Sequence, residues 1–261
     1  MRQFFFANLD IPPPEFNQEL DFSDVEYNYG AAFAEVGWNI EPWSAVAVGY
    51  RGNSGYVELL LTGGRQDLDA YGPYIRYAYD YLDSLYFPTS GWLLDAEWGY
   101  SRIHSRFDGI KTDDNTNYYN VRVLKPFSFE RHTLVTNLKG GGSDSKEMVP
   151  IYAQDLGGLF NLSGYHRYEL NGRYSLFGAL NYRYRLLDND FGAFTSPVYV
   201  GGSIERGGVW NDEAQISWSS SMTAASLYVG IDSLLGPVYV GYGYAEGGKS
   251  SFYLVLGSAQ N

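Results

Sequence analysis

The stretch from Leu170 to Leu187, LNGRYSLFGALNYRYRLL, alternates in character at every residue. Tyr174, Leu176, Gly178, Leu180, Tyr182, Tyr184 and Leu186 fall on one face. Arg173, Ser175, Phe177, Ala179, Asn181, Arg183 and Arg185 fall on the other. A period of two is the signature of a β-strand. The face with the arginines needs water or acidic partners, and the apolar face needs cover. The pattern recurs. Ile75, Tyr77, Tyr79 and Tyr81 oppose Arg76, Ala78 and Asp80; Leu94, Ala96, Trp98 and Tyr100 oppose Asp95, Glu97, Gly99 and Ser101. Val46, Val48 and Tyr50 oppose Ala45, Ala47, Gly49 and Arg51, and in 56–62 Val57, Leu59 and Leu61 oppose Tyr56, Glu58 and Thr62. Weaker alternation marks 118–124, 132–139, 198–205, 226–232, 238–244 and 250–257. Several segments run to about 10 residues or more, which suits a tilted membrane strand better than the average strand of about 5–6.

Gly-, Asp- and Asn-rich stretches punctuate the pattern: GRQD (64–67), PTSG (88–91), DGIKTDDNTN (108–117), GGGSDSKE (140–147), LDND (187–190) and EGGK (246–249). Each predicts a turn. The proline cluster at 12–14 predicts a loop between a first strand, 2–9, and a long second one, 24–40. No linker or composition shift divides the chain, so residues 1–261 read as one domain.

Composition narrows the class. The 261 residues include 25 Tyr and 31 Gly, no Cys, and a net charge of −12. No apolar run approaches the roughly 20 residues that a membrane helix requires. Absence of Cys excludes disulfides and thiol chemistry. The acidic balance argues against nucleic acid as a partner. The start, MRQFFFANLD, is not a secretory signal, so an exported chain of this kind would have lost its signal or would be the tail of a longer protein. Two all-β readings remain, a soluble sandwich or propeller and an antiparallel transmembrane β-barrel. Aromatic residues near segment ends and charge on the opposite face favour the barrel, with about 12–16 strands.

Three stretches carry a family resemblance. LDSLYFPTSG (82–91) resembles the strand–turn–strand signature of the bacterial surface antigen superfamily of outer-membrane barrels. LGGLFNLSGYHRYELNG (156–172) resembles that superfamily's lumen-inserted loop, which usually carries Val-Arg-Gly-Phe; here the four positions are Leu162, Ser163, Gly164 and Tyr165. YVGIDSLLGPVYVGYGYAEGGKSSFYLVLG (228–257) resembles the closing strands. With PVYVGGSIERGGVW (197–210), these look most like the C-terminal barrel of bacterial patatin-like phospholipases, the type Vd autotransporters. The resemblance spans 82–257. It implies residence in the bacterial outer membrane, contact with outer-membrane lipids, insertion by the cell's barrel-insertion machinery, and an N-terminal lipase passenger that the barrel anchors and exports or displays. It also implies that residues 157–169 fold into the lumen against inward-facing charges, with Arg173, Arg183, Arg185 and Glu205 as the expected partners. The superfamily's loop arginine is replaced by Ser163, so hydrogen bonds and packing are expected to hold the tip. Arg167 is the nearest substitute cation. The chain ends on Ala259-Gln260-Asn261, where such barrels usually end on an aromatic residue. The superfamily has eight strands on each side of the turn near Phe87. Fewer alternating segments precede that turn here, which suggests a shortened barrel or strands lying upstream.

No catalytic constellation is legible. A lipase of the patatin type needs a Gly-x-Ser-x-Gly elbow, and Gly52-Asn53-Ser54-Gly55 lacks that spacing. His104, His132 and His166 are scattered. Asp113-Asp114-Asn115 and Asp188-Asn189-Asp190 match no complete calcium loop. The chain is therefore expected to be no enzyme and to need no cofactor. Its alternative roles are a narrow non-specific pore and an assembly or translocation factor for other proteins.

Overall fold

The computed structural model describes residues 5–6, 25–59, 64–107, 109–146, 149–190, 195–233 and 236–257. They form β1 (Phe5–Phe6), β2 (Val25–Glu41), β3 (Ser44–Leu59), β4 (Gly64–Asp80), β5 (Leu93–Phe107), β6 (Ile110–Phe129), β7 (His132–Ser143), β8 (Gln154–Leu156), β9 (Leu170–Gly172), β10 (Tyr174–Leu187), β11 (Val198–Trp210), β12 (Met222–Ser233), β13 (Gly236–Ala245) and β14 (Lys249–Leu256). Twelve strands make one sheet in chain order, β1 to β7 and then β10 to β14, while β8 and β9 pair as a separate ribbon. Two compact units divide the chain. The first contains Met1–Ala78, Ala96–Tyr119 and Ser143–Tyr152; the second contains Tyr79–Asp95, Asn120–Gly142 and Ala153–Asn261.

The strands are longer than the sequence suggests. GRQD belongs to β4, residues 110–117 belong to β6, and Gly140–Ser143 belong to β7. Turn-forming residues are tolerated in a strand when the ladder satisfies their backbone and their side chains reach water or a partner. Residues 43–51 and 56–62 were expected as separate strands. Instead β3 runs unbroken through Gly52–Gly55, in constant register with β2 from Val25↔Leu59 to Asn39↔Ala45. Gly55 lies so close to Asn28 and Tyr29 that a Cβ there would collide with the neighbouring backbone. Because alternation continues without a bulge, Val57 shares a face with Ala47 and Arg51, while Tyr56 and Glu58 share the face of Val48 and Tyr50. The opposition of Val57 to Tyr56 and Glu58 is kept, and residues 60–62 lie outside the described residues. Of the expected first strand, only β1 lies within the described residues.

The first unit is held by a polar–aromatic cluster. Arg51 makes two hydrogen bonds to Glu97, at 2.9 and 3.2 Å, and lies 4.6 Å above the Tyr74 ring. Tyr74 donates its hydroxyl to Glu35 at 2.9 Å. Its ring lies against Gly49, where a side chain would overlap it, and the Tyr118 ring lies against Gly99 in the same way.

The second unit shows the alternation most clearly. On β10, Leu176, Leu180, Tyr182 and Leu186 are exposed, while Phe177, Ala179 and Arg183 are buried. Along the covered face, residues in register across β11 to β14 alternate Gly and Tyr. Gly201 pairs with Tyr228, Tyr228 with Gly241, and Gly241 with Tyr253; one step on, Tyr199 pairs with Gly230 and Gly230 with Tyr239. Each ring needs the bare backbone beside it, and this packing explains much of the unusual Tyr and Gly content.

Candidate functional site

The covered face of the second unit carries a row of side chains in register: Asn137 on β7, Ala179 on β10, Glu205 on β11, Ala224 on β12, Ala245 on β13 and Lys249 on β14. The alanines leave a depression around Glu205. Into it folds the segment between β8 and β9.

That segment builds its own tip. Gly157 donates to Asn161 O at 2.7 Å, Gly158 to Tyr165 O at 2.9 Å, and the Phe160 amide to Ser163 Oγ at 3.0 Å. Phe160 (φ 65°) and Leu162 (φ 73°) take the left-handed conformation. A bulky residue there costs on the order of 1–3 kcal/mol. Surrounding contacts must offset that strain, and those contacts converge on Glu205. The Leu162 and Ser163 amides each donate to Glu205 Oε2 at 2.7 Å. Ser163 Oγ donates to Oε1 at 2.7 Å, and Ser203 Oγ also donates to Oε1. Successive amides turned toward one point make an anion-binding concavity, and here the anion is a wall carboxylate that is 1% exposed. Ser203 continues the chain to Ser226 Oγ at 2.6 Å.

Gly164 is the point of closest approach. Its amide donates to Tyr253 Oη at 2.8 Å, and Tyr253 donates back to Tyr165 O at 2.8 Å. A Cβ on Gly164 would lie 2.6 Å from Ala245 N, and one on Gly243 would lie 2.6 Å from Gly164 N. Only two facing glycines allow this backbone contact. Leu162 and Tyr165 pack with Leu156, Phe177, Ala179, Ala224 and Ala245, and Leu159 and Phe160 pack with Tyr199, Tyr228 and Tyr239.

Glu205 thus contacts the tip directly, but the expected arginine partners do not. Arg173 donates to Asn211 O at 3.2 Å, Arg185 lies 3.8 Å from Asp188, and Arg183 donates to Pro88 O. Arg167 stacks on Tyr168, 4.8 Å from the ring. The reason is chemical. The tip presents N–H and O–H donors, and a guanidinium, itself only a donor, cannot receive them.

Arg183 marks a second inserted segment that the sequence did not reveal. Residues 81–92 make the turn between the neighbouring strands β4 and β5, closed by Tyr81 N donating to Trp92 O at 2.8 Å and Asp83 N to Ser90 O at 3.3 Å, and this turn folds over the covered face. Phe87 stacks on Tyr199 with centroids 4.5 Å apart, and Arg183 is 5.6 Å from both rings. Pro88 has no N–H to contribute to a ladder, and Asp83 organises the turn by accepting the Thr89 amide at 2.7 Å, the Ser90 amide at 3.0 Å and the Thr89 hydroxyl. Burial raises the Asp83 pKa, but these bonds outweigh it and hold the carboxyl below its ordinary value. A depressed pKa means the stabilisation is complete above the ordinary Asp range, about pH 4, and is lost as pH falls through the lower folded value. Asp83→Asn should therefore flatten the acid limb of a thermal-stability profile; an unchanged acid limb would count against the Asp83 turn as its source.

The histidines do not assemble into a triad among the described residues. His104 contacts Tyr71 and Asp113, and His132 contacts Tyr182. His166 Nδ1 lies 3.3 Å from Ser251 Oγ, a proximity the sequence gave no sign of. Asp113 is occupied by His104, and Asp188 by Arg131 and Arg185; no group of acids and histidines able to hold a metal forms among the described residues.

No family model matches the chain, and no curated protein matches it. Solved structures do. BamA from Haemophilus ducreyi, in a form lacking POTRA domains 1–3, aligns with a TM-score of 0.65 at 12% identity over 88% of this chain and 53% of its own. The fold is that of a BamA-type transmembrane β-barrel. CdiB from Acinetobacter baumannii aligns at TM-score 0.48 and 10% identity, over 86% of this chain and 48% of that one. The β domain of the Bordetella autotransporter BrkA aligns at TM-score 0.35 and 16% identity, over 87% and 88%. The chain spans about half the length of the BamA structure. In such a barrel the covered face is lumenal, the exposed apolar face meets lipid, and residues 157–169 form an inserted loop.

Proposed function

We propose that this chain is an outer-membrane barrel domain that anchors an N-terminal passenger, a lipase of the patatin type, and takes part in its export or display. The observation that carries the anchoring reading is the Glu205 contact with Leu162 and Ser163. A loop held by buried, charge-assisted hydrogen bonds occupies the lumenal face, whereas a freely conducting pore needs that face open. The passenger rests on the sequence resemblance of 156–172, 197–210 and 236–248. Chemistry is assigned to the passenger, because Gly52–Gly55 lies inside β3 rather than on a strand–helix elbow. Lipids meet the exposed apolar face, and the cell's barrel-insertion machinery is the expected route into the membrane.

A reporter fused ahead of Met1 tests the anchor. It should fractionate with the outer membrane, resist salt extraction, and accompany a barrel whose gel migration shifts on boiling, because inter-strand bonds in a closed barrel resist detergent until heated. Planar-bilayer recordings should show little steady conductance. A soluble fusion that migrates identically before and after boiling would end the reading, and large steady channels would replace it with the pore.

A further inference from the structure

The first unit carries a cationic surface that the anchoring role does not use. Ser101 and Ile103 on β5, and Thr116 and Tyr118 on β6, are buried on the inner face. Alternation therefore turns Trp98, Arg102, His104 and Arg106 outward on β5, and Lys111, Asp113 and Tyr119 outward on β6. A Cβ on Gly99 would overlap the Tyr118 ring, which sets these two residues side by side and with them the register of the two strands. Trp98 comes opposite Tyr119, His104 opposite Asp113, and Arg106 opposite Lys111. The 2.6 Å contact of His104 Nδ1 with Asp113 agrees with that register, and His104 Nε2 lies 2.7 Å from the Tyr71 hydroxyl on β4.

Arg106 facing Lys111 is a like-charge pair across two strands, an arrangement that destabilises a sheet unless something neutralises it. Arg102, Arg106 and Lys111 are all exposed, and among the described residues no carboxylate lies within ion-pair distance of them. The nearby acids are otherwise engaged: Asp113 by His104, Asp69 by Ser54 at 2.6 Å and Asp67 by Arg65 at 2.9 Å. This concentration of cations stands on a chain of net charge −12. It also has a defined height. Trp98 and Tyr119 are exposed aromatics of the kind that mark a membrane interface. Arg102 lies four residues further on, about 13 Å along a tilted strand, with Arg106 and Lys111 beyond it.

We propose that the outward face of the β5–β6 hairpin binds the phosphate groups of membrane lipids, with Arg102, Arg106 and Lys111 supplying the charge and the Tyr71–His104–Asp113 chain fixing the hairpin between them. This rests on the membrane-barrel reading. A lipid surface is the committed partner because the cations stand directly beyond the aromatic row, on the face that meets lipid.

Native mass spectrometry of the purified chain in detergent tests it, with lipid A as the phosphorylated probe and phosphatidylcholine as the zwitterionic one. The wild type should retain lipid A over phosphatidylcholine. The triple variant Arg102→Gln/Arg106→Gln/Lys111→Gln should lose that retention about tenfold or more, given that each cation near an anionic surface contributes about a factor of five. Arg131→Gln, a surface cation paired with Asp188, should not. Equal retention by wild type and triple variant would overturn the proposal. So would displacement of lipid A by an equal concentration of inorganic phosphate, which would indicate a site for free anions. The boiling-dependent gel shift reports the barrel separately: if the triple variant loses it, Arg102→Gln alone decides by the same comparison. A wild type that is soluble without detergent removes the membrane reading and this proposal together.

Discussion

Replacing Glu205 by Ala should release the inserted loop. The carboxylate accepts from the Leu162 and Ser163 amides and from the Ser163 and Ser203 hydroxyls. Alanine leaves the two amides stranded in a buried site, and each unsatisfied buried donor costs about 1–3 kcal/mol. Strain at Phe160 and Leu162 would then be opposed only by the tip's own hydrogen bonds, the Tyr253 contacts and apolar packing. A penalty of about 3 kcal/mol corresponds to a rise of about 100-fold in the open population of the loop. Ser163→Ala should be milder, about tenfold at most, because both amides keep their acceptor. The readout is the labelling rate of a Leu159→Cys probe by a bulky, membrane-impermeant thiol reagent, with and without the Glu205 change. Leu159 is 4% exposed in the aromatic cluster, so labelling reports opening. Gly164 would be a poor probe position, since any side chain there meets Ala245. Equal labelling rates for Glu205→Ala and its parent would refute the carboxylate's role.

Leu180→Arg should hinder insertion by about 2–4 kcal/mol, the cost of a cation on the lipid face near mid-bilayer. Leu180 sits mid-strand on β10, half exposed, in register with Ile204, which is exposed as well. On a water-soluble protein the same exposed substitution would fall within about 0.5 kcal/mol of neutral, so the size of the effect separates the two environments. Asn120→Arg, on the inward side of β6 and exposed there, is the control and should be close to neutral. Ala179 would be an unsuitable control: although it faces inward, it lies 7% exposed beneath Leu162 in the Glu205 row, so an arginine there would unseat the loop. Urea titration of folding into lipid vesicles measures both against the wild type. Equal costs at 180 and 120 would mean the faces are misassigned or that no bilayer is involved.

Much of the fold is legible in the sequence because the strand period is local. Leu176, Leu180 and Leu186 point outward, and Phe177, Ala179 and Arg183 inward, as alternation predicts. Strand limits were less legible. Asp113, Asn115 and Asn117 have turn chemistry, yet β6 runs through them, since a hairpin partner and side-chain contacts such as His104–Asp113 outweigh local preference. The break expected between 43–51 and 56–62 is absent because Gly52–Gly55 pairs with β2 like the rest of β3, a long-range contact that the local Gly and Asn chemistry does not show.

The sequence by itself determined the sheet, its two faces, and a loop too apolar to remain in water, with Ser163 in place of a cation. These follow from periodicity, composition and the chemistry of single residues. Only the tertiary structure decided what the loop meets. Glu205 lies 42 residues from Ser163, and nothing local distinguishes it from Arg183 or Arg185 as a partner. The choice was made by register, which placed Glu205 among Ala179, Ala224 and Ala245, and by donor geometry, since left-handed turns at Phe160 and Leu162 aim amides that only a carboxylate can accept. The same register gave Arg183 to Pro88, so that two segments distant in the chain are fastened to one wall by opposite charges.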